Sequence, residues 1–122
     1  MCIRDRVYPS SKDECIDVKG RDLVTGLPNT ISICSNEIEE ALRESAEKIV
    51  STTKMVLENT PPELAADIIN KGIILTGGGA LMHGLNNLLE DNLGVPVKIA
   101  KSPLTCVVDG TGIMLDNMSR LL

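Results

Sequence analysis

The feature that most constrains this chain is a run of three glycines, Gly77-Gly78-Gly79, set directly behind Ile73-Ile74-Leu75-Thr76. The aliphatic run predicts a short strand buried on both faces. Three residues without a Cβ then permit positive φ and a close approach to the backbone. From Ala80 onward the spacing turns helical, with Leu81, Leu85, Leu88 and Leu89 on one face. A helix that starts at a glycine turn points open N–H groups and a positive dipole end at whatever lies above it. That is the geometry of a nucleotide or anion site. It is equally the geometry of a tight strand-to-helix connection with no ligand, and the spacing alone leaves both readings open.

Two familiar phosphate devices are excluded. A G-x-G-x-x-G loop starting at Gly77 needs glycine where Met82 stands. It also wants an acid after the next strand, where the chain has Ala100-Lys101. A Walker A loop needs Gly-Lys-Ser/Thr, and no lysine follows these glycines.

The 122 residues make about one domain. There is no Trp, no Phe and a single Tyr, Tyr8, so the core has to be built from Leu, Ile, Val, Ala and Met. The net charge of −5, scattered basic residues and lack of stacking aromatics argue against nucleic-acid binding. No apolar run reaches the length of a membrane span, and no secretory signal pattern is visible. Cys2, Cys15, Cys34 and Cys106 form no C-x-x-C pair. Only His83 could join them on a metal, so no metal site is expected. Reduced, structural thiols in a cytosolic protein are the expectation. His83 falls off the leucine face of its helix and reads as a solvent-side residue.

Residues 1–13 read as an irregular lead-in whose first residues look artificial or truncated. Residues 14–34 hold two alternating runs, Glu14–Lys19 and Asn29–Ile33, joined through Gly20–Pro28. They predict an antiparallel hairpin. Arg21 and Asp22 in the connection either pair, reach a neighbouring subunit or sit in a solvated loop. Residues 35–122 read as an α/β region. Ser35 or Asn36 caps a long helix with Glu37, Glu39 and Glu40 in its first turn. Its apolar stripe runs through Ile38, Ala41, Leu42, Ala46, Ile49, Val50, Val56 and Leu57. Glu39–Arg43 and Glu44–Lys48 form four-residue pairs, and the helix ends before Pro61-Pro62. Pro62 opens a short helix that Gly72 stops. After the glycine turn and its helix, Val95–Ala100 is a second strand, and strand–helix–strand implies a parallel β-α-β unit. Ser102-Pro103 reads as a cap and first-turn proline, followed by a helix broken at Gly110-Thr111-Gly112. Ligands of such units sit at the carboxyl ends of the strands, here the triple glycine and Ser102–Thr105.

Four segments in this order carry a resemblance. They are Gly20-Arg21-Asp22-Leu23-Val24-Thr25-Gly26-Leu27-Pro28, Thr60-Pro61-Pro62-Glu63-Leu64-Ala65-Ala66-Asp67-Ile68-Ile69, Leu75-Thr76-Gly77-Gly78-Gly79-Ala80-Leu81 and Pro103-Leu104-Thr105-Cys106-Val107. Together they resemble the C-terminal part of the MreB/Mbl family of bacterial actin-like rod-shape proteins. The tail Gly112-Ile113-Met114-Leu115-Asp116-Asn117-Met118 is closest to the Mbl branch. The resemblance implies the actin/Hsp70/sugar-kinase ATPase fold, of which this chain would supply the C-terminal lobe: the end of subdomain IIB plus most of IIA. It implies an intact parent that binds ATP with Mg2+ and polymerises into protofilaments. Those filaments would be cytoplasmic, membrane-associated, and partnered with the cell-wall elongation machinery.

Gly77, Gly78, Gly79 and Ala80 match the family's adenosine motif, and Thr111 with its flanking glycines matches the second connecting segment. Both phosphate loops and the catalytic acid of the family lie outside the matched segment. No catalytic residue is therefore assigned, and the chain alone is expected to bind no nucleotide tightly. Met1–Val7 do not resemble the family. Lys101-Ser102 and Val108-Asp109 also depart from its usual residues. The alternatives are a lobe of a sugar kinase-like ATPase and a free-standing interaction module.

Overall fold

The computed structural model describes residues 5–121, so Cys2 and the very start of the lead-in lie outside it. The elements in order are β1 (Cys15–Arg21), β2 (Pro28–Cys34), α1 (Ser35–Glu58), α2 (Pro62–Lys71) and β3 (Ile73–Leu75). A 3-10 turn (Gly78–Leu81), α3 (Leu85–Leu93), β4 (Val97–Ile99) and α4 (Cys106–Leu121) complete the chain.

The alternating runs pair as expected, antiparallel, with Ile16 opposite Ile33 and Val18 opposite Ile31. The hairpin turns at Asp22, whose carboxylate accepts the N–H groups of Val24 at 2.8 Å and Thr25 at 3.2 Å. Gly26 has a φ of 70° and donates its N–H to the Asp22 carbonyl. Asp22 is thus spent on forming the turn, as short polar side chains often are. The same register sets Cys15 opposite Cys34, and their sulfurs are joined in a disulfide. The expectation of reduced thiols is corrected for this pair. The reason is geometric: the two cysteines flank the alternating runs symmetrically, so the pairing that matches the isoleucines also matches them.

Helix α1 is capped by Cys34 rather than by Ser35 or Asn36. Glu37 accepts the Cys34 N–H at 2.8 Å in a capping-box arrangement. Ser35 is instead buried. Its hydroxyl donates to Asp13 and accepts the Glu14 N–H, closing the root of the hairpin. Both four-residue ion pairs form, Glu39–Arg43 at 3.0 Å and Glu44–Lys48 at 3.1 Å. Pro62 opens α2 and Gly72, with φ 82°, stops it, as the spacing predicts.

The core lies between α1 and α3 on one face of the β3–β4 pair. Val7, Ala46, Val50, Leu85, Leu89 and Val97 are buried there, with Leu42, Ile73, Leu75, Met82, Leu88 and Leu93 packed around them. β3 is not covered on both faces. Ile74 points away from the core and is 68% exposed, because only one layer of helix backs this two-stranded sheet. The lead-in, unpatterned in sequence, joins the core: Val7 is buried and donates its N–H to the His83 carbonyl, while the His83 N–H goes to Asp5. Tyr8 donates its hydroxyl to Asp91. The His83 side chain itself is exposed, as predicted.

Two helix expectations are corrected. The helix after the glycines does not start at Ala80. A 3-10 turn ends at Leu81, Gly84 takes a left-handed conformation, and α3 starts at Leu85. Gly110-Thr111-Gly112 does not break the last helix, which runs unbroken as α4. Glycine costs a helix only about 1 kcal/mol per residue, and neither glycine has positive φ here. No helix among the described residues is long and apolar enough to cross a membrane.

Candidate functional site

β3 and β4 run parallel, with Ile73, Ile74 and Leu75 opposite Val97, Lys98 and Ile99. Their carboxyl ends therefore lie side by side. Two backbone bonds join the loops that leave them. The Ala100 N–H donates to the Leu75 carbonyl at 2.9 Å, and the Gly77 N–H donates to the Pro103 carbonyl at 2.7 Å. The second bond seats the glycine turn on the segment before α4. No side chain announces it, since the acceptor is a main-chain oxygen. The position of Ser102–Thr105 after the second strand was the available clue.

The four residues read as a binding motif play different parts. Gly77 has φ 82° and ψ 175°, a region essentially reserved for glycine. It makes the corner, and its N–H is taken by Pro103. Ala80 is 3% exposed and gives its N–H to Gly77. Its side chain belongs to the interior. Gly78 and Gly79 are exposed, and their N–H groups have no partner among the described residues. A Cβ at Gly79 would meet nothing within 4 Å, and one at Gly78 would meet only Leu104, at 3.6 Å. Neither has positive φ. The turn is thus a pinned corner followed by two exposed glycines whose N–H groups are unengaged among the described residues. Such an arrangement accepts an oxygen-rich or flat ligand group against bare backbone.

The surrounding loop is self-contained. Ser102 is not a helix cap, and Pro103 is not in a first turn. Residues 102–105 form a turn in which the Ser102 carbonyl accepts from Thr105 N–H at 3.1 Å and the Cys106 thiol at 3.0 Å. Asp109 accepts the Thr105 hydroxyl at 3.0 Å, and Thr111 donates its hydroxyl to Val108. Asp109, whose identity departs from the resemblance, therefore stabilises the start of α4 and leaves the helix undistorted. A more voluminous cleft lies elsewhere. It holds about 500 Å³ between α1 and α3, floored by Val7, Ala46, Val50 and Leu88 and rimmed by Glu39 and Arg43. The Glu39 carboxylate holds Arg43 above its ordinary pKa through their hydrogen bond and charge. No residue of the glycine turn lines this cleft. We give the glycine turn precedence because its open donors have a chemical use, whereas the cleft offers apolar floor and an already satisfied ion pair.

The family model described as MreB/Mbl protein matches residues 4–122, so residues 4–7, expected to fall outside the family, lie within the match. The chain belongs to the MreB/Mbl family. Among its relatives, the cell shape-determining protein Mbl of Bacillus cereus is 59% identical over 115 residues, covering 94% of this chain and 34% of that protein. The cell shape-determining protein MreB of Escherichia coli is 48% identical over 109 residues, covering 89% of this chain and 31% of that protein. This MreB/Mbl chain thus spans about a third of the length of the curated relatives it matches. The crystal structure of MreB5 of Spiroplasma citri bound to ADP superposes with a TM-score of 0.87 at 37% identity, over 95% of this chain and 35% of that one. The same protein bound to AMPPNP gives 0.84 at 36% identity, over 98% and 37%. The α/β, actin-like class read from the sequence is therefore shown. Membership of a cell shape-determining cytoskeletal family also favours that reading over the sugar-kinase and interaction-module alternatives.

Proposed function

We propose that this chain is the C-terminal lobe of an ATP-binding, filament-forming bacterial actin homologue, comprising the end of subdomain IIB plus most of IIA. The intact protein sets cell shape by organising cell-wall synthesis, as a homopolymer of protofilaments at the cytoplasmic face of the membrane, with the elongation machinery as its partner. Gly77, Gly78, Gly79 and Ala80 form one wall of its nucleotide site. The observation that carries this reading is the pair of open N–H groups at Gly78 and Gly79, held at the carboxyl end of β3 by the Gly77–Pro103 bond. Its support from outside the chain is that the two similar MreB5 structures are bound to ADP and to AMPPNP.

Within that site the residues divide the work. Gly77 sets the corner, Gly78 and Gly79 offer donors and bare backbone to the ligand, and Ala80 anchors the turn in the core. Leu104 stands beside Gly78 and bounds the same space. ATP with Mg2+ supplies the phosphoryl group and its charge neutralisation. The acid nearest these loops in sequence, Asp109, accepts the Thr105 hydroxyl through one carboxylate oxygen. Phosphoryl transfer depends on several positioned parts acting together, and this chain holds one wall of them.

The test is nucleotide titration and phosphate release, run on this chain and on a full-length MreB/Mbl protein carrying it as its last third. The full-length protein is expected to bind ATP and the isolated chain to release no phosphate. Steady hydrolysis by the isolated chain, unchanged by Gly78→Val, would overturn both the lobe assignment and the site.

A further inference from the structure

We propose that Cys15 and Cys34 are a redox modification site, a dithiol–disulfide couple that exchanges with low-molecular-weight disulfides and, when closed, locks the hairpin in register. Apart from the Ser35 hydrogen bonds to Asp13 and Glu14 at its root, the hairpin has little else to hold it. Every residue of β1 is exposed, including Ile16 and Val18, and Ile31 on β2 is exposed as well. Beyond its partner strand, the hairpin's main contact is with α1, through β2. A two-stranded hairpin on its own is marginal in water. The disulfide lies at the open end of the ladder, opposite the Asp22 turn, so turn and bond together close both ends.

The chemistry follows from where the sulfurs sit. Cys15 is exposed and meets solutes first. Cys34 is half-buried as the N-cap of α1, where the positive helix end favours a thiolate. The Asp13 carboxylate lies within 4.8 Å of both sulfurs and opposes this. It is already engaged by the Ser35 hydroxyl and the Asn36 N–H. In closure, the Cys15 thiolate attacks one sulfur of a small disulfide. The small S–S bond breaks, one small thiolate leaves and is protonated by water, and a mixed disulfide remains on Cys15. The Cys34 thiolate then attacks the Cys15 sulfur, and the second small thiol leaves. The protein dithiol loses two electrons and two protons, and the small disulfide becomes two thiols. Excess small thiol reverses both steps.

The test titrates the full chain in glutathione–glutathione disulfide mixtures, alkylates it and maps the cysteines by mass spectrometry. Cys15 and Cys34 should pass together from alkylated to cross-linked as the mixture becomes oxidising, and Cys106→Ser should change nothing in that transition. Cys34→Ser should strand glutathione on Cys15. Trypsin should cut at Lys19 and Arg21 about tenfold or more slowly in the closed form, given what closing a loop of this length removes from the open ensemble. A Cys15→Ser/Cys34→Ser variant should be cut at the open rate in every mixture. Circular dichroism should show α1 intact throughout. Cysteines that stay alkylatable in the most oxidising mixture, or that cross-link only between chains, overturn the couple. Equal cleavage of the open and closed forms overturns the lock.

Discussion

β3 carries glycine at each of its ends, and the two ends use it for opposite purposes. At the amino end, Gly72 is crowded: a Cβ built there would lie 2.5 Å from the Pro96 carbonyl oxygen, the same atom that accepts the Ile73 N–H. At the carboxyl end, Gly77 only needs its backbone angles, and Gly78 and Gly79 look out on open space. One glycine position exists so that two strands can close on each other. The other exists so that something else can come close. Sequence composition treats the two alike, and only the surrounding atoms tell them apart.

The largest effect that could break this contrast is Gly72→Ala. Backbone strain of roughly 1–3 kcal/mol at φ 82° and ψ −171° adds to a clash with a carbonyl that the sheet needs in place. A loss of about 3 kcal/mol or more in urea unfolding is expected; a loss below about 1 kcal/mol would show the β3–β4 junction to be pliable. Next, Gly77→Ala should cost roughly 1–3 kcal/mol through its backbone angles alone. Gly79→Ala, with open space and ordinary φ, should stay within about 1 kcal/mol of the parent by the same assay. If the two prove equal, the corner is not where the strain lies.

Gly78→Val sharpens the functional side. Gly78 has no positive φ, so valine brings bulk without left-handed strain. In a full-length MreB/Mbl protein, nucleotide affinity should fall about tenfold, or ~1.4 kcal/mol, with the lobe still folded. Lys48→Ala, on the exposed side of α1, serves as the unchanged control in calorimetric titration.

The smallest effect concerns pH. Hydrogen bonding to Asp91, and that carboxylate's charge, raise the Tyr8 pKa above its ordinary value. A raised pKa means the folded state favours the protonated phenol. The stabilisation is therefore complete below the ordinary value near 10 and lost as pH rises through the raised one. Tyr8→Phe should abolish that slight alkaline dependence in thermal melts and lower neutral stability by the same slight amount.

The parts legible in the sequence are those where one local signal decides the structure. The alternation of Ile16, Val18, Ile31 and Ile33 fixed the hairpin, and Pro62 with Gly72 bounded α2. The parts that were not legible depend on partners far along the chain. Val7 is buried because His83 offers it a backbone bond, and nothing in the lead-in announces that. Ile74 is exposed because no second layer covers β3, which an aliphatic triplet cannot reveal. Gly110 and Gly112 read as a break, yet the helix tolerated both. At the candidate site, the glycines were visible as a motif, but the division between a pinned Gly77 and open Gly78 and Gly79 needed the Pro103 carbonyl.

The bond between Tyr8 and Asp91 has an optical consequence. Tyr8 is the sole aromatic residue of the chain, so all of its intrinsic ultraviolet fluorescence arises at one address. A carboxylate that accepts the phenol proton quenches that emission in the excited state. Docked lead-in should therefore be dim and released lead-in bright. The chain comes with a built-in lamp that reports whether its first segment is seated, with no dye and no engineered probe.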